Sequence, residues 1–211
     1  MVDTNGGLFP QVKYIENVPY LVYILASGSG QNNIVYSYRN SNSFSIPAIL
    51  DQSKTGIAKT FCYDLSTASF EDLSSAAGDS SASDIYHSDS STIFKDSGDA
   101  LYLGLENKLH YLKVILGTAG VGGNVNWQYF DGNEWVSFVP SGGSWHFSDT
   151  NKGLLLWDDI FSVPNGWQKN SVNGIEMFWI KVTVITTFTI GPVGTQISTV
   201  PDIKAVVLME R

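Results

Sequence analysis

The sequence predicts an all-β protein, an antiparallel β-sandwich of jelly-roll type with long Ser-, Gly- and Asn-rich loops. Three observations carry the prediction. Short β-branched and aromatic runs recur along the chain with turn residues between them. Charged residues make up only 15% of the 211 positions, against roughly 25% in an ordinary soluble domain, so Ser, Asn and Gly supply the polarity. Helical periodicity is nearly absent, and its one plausible stretch is Leu65 to Ala77, where Asp64 or Ser66 could cap a turn ahead of Glu71.

In chain order, Leu21 to Leu25 and Asn33 to Tyr38 are β-prone runs separated by the loop composition Ser27-Gly28-Ser29-Gly30-Gln31. Leu109 to Leu116 is the next strand and enters the glycine-rich stretch Gly117 to Gly123. Val125, Trp127 and Tyr129 then alternate with Asn124, Asn126 and Gln128, the period of a half-buried strand. Asp131-Gly132-Asn133 turns the chain, and Trp135 to Phe138 returns as the hairpin partner. Asp158 to Phe161 has the composition of a single helical turn or a loop. Ile175 to Phe188 is the most continuous run, with Phe178, Ile180, Val182 and Val184 on one face, and Ile203 to Met209 closes the chain. Spacing also repeats: Tyr38-x-Asn40-x-Asn42-x-Phe44 matches Tyr129-x-Asp131-x-Asn133-x-Trp135, so one hairpin device is expected twice.

Residues 66–98 stand apart, with eleven serines and five aspartates. They read either as a long surface loop or as a segment that orders against a neighbouring subunit. The expected organisation is N-terminal strands or a docking arm over residues 1–50, a Ser/Asp-rich connection over 51–98, and a β-sandwich domain over 99–211.

Composition narrows function. Twelve Lys+Arg against twenty Asp+Glu give a formal charge of −8, the wrong balance for neutralising phosphates, so nucleic acid is not an expected partner. Met1 to Asn5 lacks the basic and apolar regions of a secretion signal, and the longest apolar run, Val18 to Ala26, is too short to span a bilayer. The expectation is synthesis and assembly in the cytoplasm, with no membrane partner.

Catalytic patterns are scarce. His87, His110 and His146 are scattered, and Cys62, the one cysteine, sits in the β-like run Thr60 to Tyr63 as a small buried filler. Gly117 to Gly123 leads into a strand and lacks the Lys-Ser/Thr ending of a phosphate loop. Asp131, Glu134, Asp158 and Asp159 lie among tryptophans, as glycosidase carboxylates do, but turn and loop roles explain them better. Calcium ligation by Asp149 and Asn151, or by Asp96 and Asp99, lacks the dense acidic loop pattern. The reading is a non-enzyme with no cofactor and no metal.

All six tryptophans fall within residues 127–179. Trp127, Tyr129, Asp131, Gly132, Trp135, Gly174 and Trp179 are assigned to core and turns, with Trp127 and Trp179 expected between the sheets. Trp145 and Trp167, in loops, are the candidate contacts for a subunit or a sugar, together with Phe9 and Tyr14 near the start.

The segment Asn126-Trp127-Gln128-Tyr129-Phe130-Asp131-Gly132-Asn133-Glu134-Trp135-Val136 resembles a pattern, Trp-x-Tyr-[Trp/Phe]-[Asn/Asp]-Gly-x-x-Trp, of β-sandwich virion proteins of tailed phages and related viruses. Further pieces follow in the order of that family: Val163-Pro164-Asn165-Gly166-Trp167, Val172-Asn173-Gly174-Ile175, Phe178-Trp179-Ile180-Lys181-Val182 and Pro192-Val193-Gly194-Thr195-Gln196. Upstream, Gly98-Asp99-Ala100-Leu101-Tyr102-Leu103-Gly104 is similar to the element that opens the module, with Lys108-Leu109 near its Lys-Phe. The likeness covers about residues 96–197; Lys181 stands where Arg is common, and residues 1–50 carry no such match. The resemblance implies a virion structural protein in a head-decoration, neck, tail or baseplate position. Its implied partners are other copies of itself and other virion proteins. The alternative is a carbohydrate- or receptor-binding module that presents loop tryptophans to a surface glycan.

Overall fold

In the computed structural model the described residues are the backbone of the strands between residues 8 and 49, and residues 55–199 except 142 and 158–162. The chain divides into two compact units, Met1–Thr55 with Val200–Arg211, and Gly56–Thr199. Among the described residues almost every element is a strand, and all of the strand pairs with a described register are antiparallel.

The first unit is a meander. β1 (Leu8–Ile15) pairs with β2 (Val18–Ala26), which pairs with β3 (Asn32–Asn40) from Tyr20↔Tyr38 to Ala26↔Asn32. The short β4 (Ser43–Phe44) folds back on the end of β3, and β5 (Ala48–Ile49) pairs with its middle. The terminal run Ile203 to Met209 lies outside the described residues.

The second unit is a sandwich. Its strands are β6 (Thr55–Gly56), β7 (Lys59–Asp64), β8 (Ser69–Asp72), β9 (Ala100–Leu105), β10 (Tyr111–Thr118), β11 (Asn124–Phe130), β12 (Trp135–Phe138), β13 (Asn151–Leu155), β14 (Asn170–Val172), β15 (Ile175–Thr186) and β16 (Val193–Thr199). One sheet has the order β13-β10-β16-β6; the other runs β12-β11-β15-β9-β7-β8, with β14 also on β15. Period-two alternation turns one face of each sheet inward. Leu112, Val114, Leu154 and Ile197 from the first sheet pack with Leu101, Leu103, Val125, Trp127, Ile180, Val182 and Val184 from the second. The inward set on β15 is the one that alternation predicts.

Turn chemistry sets the hairpins. Asn173 and Gly174 both have positive φ, 49° and 79°, the two-residue turn whose twist matches the flanking strands, and Val172 faces Ile175 across it. At the other hairpin the Asp131 carboxylate accepts the Asn133 and Glu134 N–H groups at 2.8 and 2.9 Å, and Gly132 takes φ 104°. That hairpin pairs Phe130 with Trp135, and the first unit pairs Arg39 with Phe44 at the equivalent place, so the repeated spacing gives the same backbone register.

The helix expected over Leu65 to Ala77 is corrected. Residues 65–68 are a turn, Ser69–Asp72 is β8, and only α1 (Ser74–Gly78) is helical. The cap expectation survives in altered form: Asp64 Oδ1 accepts the Ser66 and Thr67 N–H groups at 2.7 and 3.2 Å and closes the β7–β8 turn. Pairing of Tyr63 with Phe70 and of Cys62 with Glu71 outweighs the weak helical propensity of this short run.

The serine-rich segment packs onto the same core. Leu73, Ala77, Ile85, Ile93 and Phe94 are all buried there. Its backbone is tied to the Pro192-Val193-Gly194-Thr195-Gln196 stretch: Ile85 and Gly194 exchange hydrogen bonds at 3.1 and 2.9 Å, and Ile93 N–H donates to Pro192 at 2.8 Å. Gln196 donates to the Asp79 carbonyl, and the Thr195 hydroxyl accepts from Ser83 N–H.

Candidate functional site

The outer face of the seven-stranded sheet carries a second aromatic layer. Cross-strand register builds it row by row. Ser137 lies opposite Gln128, Gln128 opposite Lys181, Lys181 opposite Tyr102, and Tyr102 opposite Phe61. On one side lies Asn126–Thr183–Ala100–Tyr63–Phe70, and on the other Trp179–Gly104–Lys59. Six strands, β12, β11, β15, β9, β7 and β8, thus place aromatic, polar and cationic side chains on one surface.

The rings pack against one another. Phe61 stacks on Trp179 at 5.4 Å, Tyr102 meets Trp135 edge-on at 5.8 Å and Phe70 at 5.6 Å, and Trp135 also touches Phe130 at 5.7 Å. Gly104 leaves the space for Trp179, whose ring would stand 2.5 Å from any Cβ placed there. The Trp179 indole N–H donates to the Asn170 carbonyl at 2.9 Å, so its burial leaves no donor unmet. Trp179 therefore packs on the outer face, which corrects its expected place between the sheets. It shares the strand face of Lys181 and not that of Ile180.

Lys181 is the electrostatic centre of this face. Its Nζ lies 5.7 Å from the Tyr102 ring centroid and 5.5 Å from that of Trp135. Its pKa is lowered by burial alone. Lys59, on the same face, is instead paired with Asp72 at 2.8 Å. Burial, helped by the neighbouring Tyr63, pushes the Tyr102 phenol up to about 12. The amides beside Lys181 are locked: Asn126 donates to Ser137 Oγ at 2.8 Å, Thr183 donates to Gln128 Oε1 at 3.0 Å, and Gln128 Nε2 donates to the Trp135 carbonyl at 3.3 Å. The alternation Trp179, Lys181, Thr183 on β15, read beside Tyr102, was the signal in the sequence for this face.

The loop tryptophans lie elsewhere and are buried. Trp145 is 3% exposed, stacks on Phe147 at 4.3 Å and donates from its indole to Asp149 at 3.2 Å. Its carbonyl accepts the Trp127 indole N–H at 3.1 Å, so the loop closes over the core tryptophan. Trp167 is 2% exposed, inside a cluster of Tyr129, Trp157 and Phe178. Neither offers an open indole face, which corrects their assignment as contact residues. Phe9 and Tyr14 fall in β1, and their side chains lie outside the described residues. Trp127 and Tyr129 sit on the inner face, and Trp135 is half-buried on the outer one.

Other candidates are occupied by structure. Asp99 accepts from the N–H groups of Leu65, Lys95 and Asp96, and its carboxylate is turned inward to them. Hydrogen bonds from Glu134 and Asn133 hold the Asp131 carboxyl below its ordinary pKa, and burial pushes the Cys62 thiol far up. Val125 N–H donates to His146 Nδ1 at 3.1 Å, and the buried His87 has its Nε2 at 3.3 Å from the Ser69 hydroxyl. Asp158 and Asp159 lie outside the described residues. Among the described residues, no three His, Cys, Asp or Glu side chains are arranged to hold a metal ion. No protein-family model, curated protein or solved structure matches the chain.

Proposed function

We propose that the chain is a structural protein of a tailed-virus particle, a capsid-decoration, neck or tail component assembled in the host cytoplasm, that works through contacts with its own copies and with other virion proteins. One observation carries the reading: the motif series that resembles such proteins occupies successive, structurally defined places in one sandwich. Gly98 to Gly104 opens β9, Trp127 to Trp135 forms the β11–β12 hairpin, and Asn173-Gly174 forms the β14–β15 turn. Phe178 to Val182 is the middle of β15, and Pro192 to Gln196 leads into and builds β16. Strand order supports the finer architecture as well. We read the succession β6-β16-β10-β13 with β9-β15-β11-β12 as a jelly-roll order, with β7 and β8 extending one edge.

The reading assigns the protein no catalysis. Support comes from Asp131, whose carboxylate is engaged by the Glu134 and Asn133 N–H groups of its turn, which lower its pKa, the wrong direction for a general acid. The competing module that binds glycans through loop tryptophans has no surface at Trp145 or Trp167. Immunogold labelling of purified tailed particles, with antibody against this chain, tests the proposal. The expected image has gold at one fixed station on every particle. Particles whose mass-spectrometric protein inventory lacks the chain would sink the reading.

A further inference from the structure

We propose that the outer face of the seven-stranded sheet, centred on Lys181, binds a saccharide that carries a carboxylate. This goes beyond the assembly reading and does not depend on it. Charge is the first argument. Lys59 and Lys181 share this face, and Lys59 is paired with Asp72 whereas no carboxylate among the described residues lies within ion-pair distance of Lys181. A half-buried ammonium held between two rings has lost part of its hydration without gaining an anion, so an incoming carboxylate has more to gain here than at an exposed lysine.

Shape and polarity give the second argument. The half-buried Trp135 ring stands next to the ammonium, and a sugar ring has apolar C–H faces that suit such a plane. Beside it lie neutral groups, Asn126, Ser137, Gln128 and Thr183, already held in place by hydrogen bonds to one another. Fixed amides and hydroxyls match a ring rich in hydroxyl groups and lose little freedom on binding. The buried core of a protein–protein contact favours apolar anchors and few such groups, which makes a sugar the better fit than a neighbouring subunit.

The test uses the full chain and isothermal titration calorimetry with a tetrasaccharide of alternating glucuronate and N-acetylglucosamine. The same tetrasaccharide with its carboxylates reduced to alcohols is the control. The expected result is binding of the acidic sugar, weakened by added salt, and a loss of roughly tenfold or more in affinity for the reduced sugar and for Lys181→Gln. Lys181→Arg should retain binding, and Trp135→Ala should lose it. Unchanged thermal melts of Lys181→Gln separate these losses from unfolding. Equal affinity for both sugars, no binding of either, or binding indifferent to Lys181→Gln would each overturn the proposal. So would sedimentation showing self-association that Lys181→Gln abolishes, because the occupant would then be a second copy. Particle labelling and sugar titration fail independently.

Discussion

Asp64 shows how much one carboxylate can organise in a chain with few charges. Its Oδ1 accepts the Ser66 hydroxyl at 2.6 Å, the Ser66 N–H at 2.7 Å and the Thr67 N–H at 3.2 Å. These bonds, led by the Ser66 hydroxyl, outweigh burial and hold the carboxyl below its ordinary pKa of 3.8. The sign follows: a depressed folded-state pKa contributes stability that is present above 3.8 and is lost as pH falls through the folded value. Asp64→Asn should therefore cost about 1–2 kcal/mol at neutral pH. Urea titrations of both proteins from pH 7 down to acid should show that gap closing, and a gap constant with pH would mean the charge does nothing. The cap was legible as Asp64 or Ser66 ahead of a helical piece; Asp64 is the acceptor, and the element it closes is the β7–β8 turn. Trp179 was legible as a buried ring, and alternation with Phe178 and Ile180 already put it on the opposite face of β15, which its expected place between the sheets ignored. What lets so large a ring pack on the outer face is Gly104, its partner across the β9–β15 pairing but distant in sequence, together with the Asn170 carbonyl of β14 that takes its indole N–H.

At the scale of elements, the hairpins and β15 were readable because their physics is local. Asn-Gly dictates positive φ at two positions, and strict alternation dictates a face. The β14–β15 turn gives a clean test. A Cβ at Gly174 would meet nothing within 4 Å, so Gly174→Ala acts through the backbone alone, with φ at +79°. The expected cost is about 1 kcal/mol. Gly166 is equally open but has no left-handed φ, so Gly166→Ala should be close to neutral or slightly stabilising in the same chemical denaturation. Equal effects at the two sites would refute the turn assignment. The loop tryptophans were harder to read because their burial depends on distant groups. The Trp157 indole donates to the Leu109 carbonyl at 2.8 Å, and Trp167 leans on Tyr129 and Phe178. Loop position predicts exposure for a polar residue, whereas a large ring next to a sandwich core follows the area it can bury.

At the scale of the whole molecule, composition misleads most over residues 66–98. By composition a Ser/Asp tract has few apolar groups to set against an ordering cost of roughly 1–2 kcal/mol per residue. Yet its few apolar residues are placed to count: Ile85, Ile93 and Phe94 are at most 1% exposed, and Phe94 meets Phe147 at 4.9 Å and Phe188 at 5.6 Å. Backbone bonds to Gly194 and Pro192 satisfy the segment's amides where its side chains do not. The strands before it are equally committed, since β7 pairs with β9 from Lys59↔Gly104 to Tyr63↔Ala100 and brings Phe61 onto Trp179. A fragment of residues 56–199 should therefore fold alone, with a β-type circular dichroism spectrum and a single cooperative melt. A fragment of residues 96–211 keeps the tryptophans and every motif of the virion-like series, but it strips β7 and β8 from β9. It also uncovers the core sites of Ile85, Ile93 and Phe94. Removing one such side chain costs about 2–5 kcal/mol, and a domain has roughly 5–15 kcal/mol in total, so the loss of all of them leaves the shorter fragment without a stable fold. Amide exchange in the two fragments reads the difference directly: protected amides in β9, β15 and β16 of the first, and uniform rapid exchange in the second. Native-like protection in residues 96–211 alone would show that the serine-rich segment and β7 are lodged on a core that does not need them.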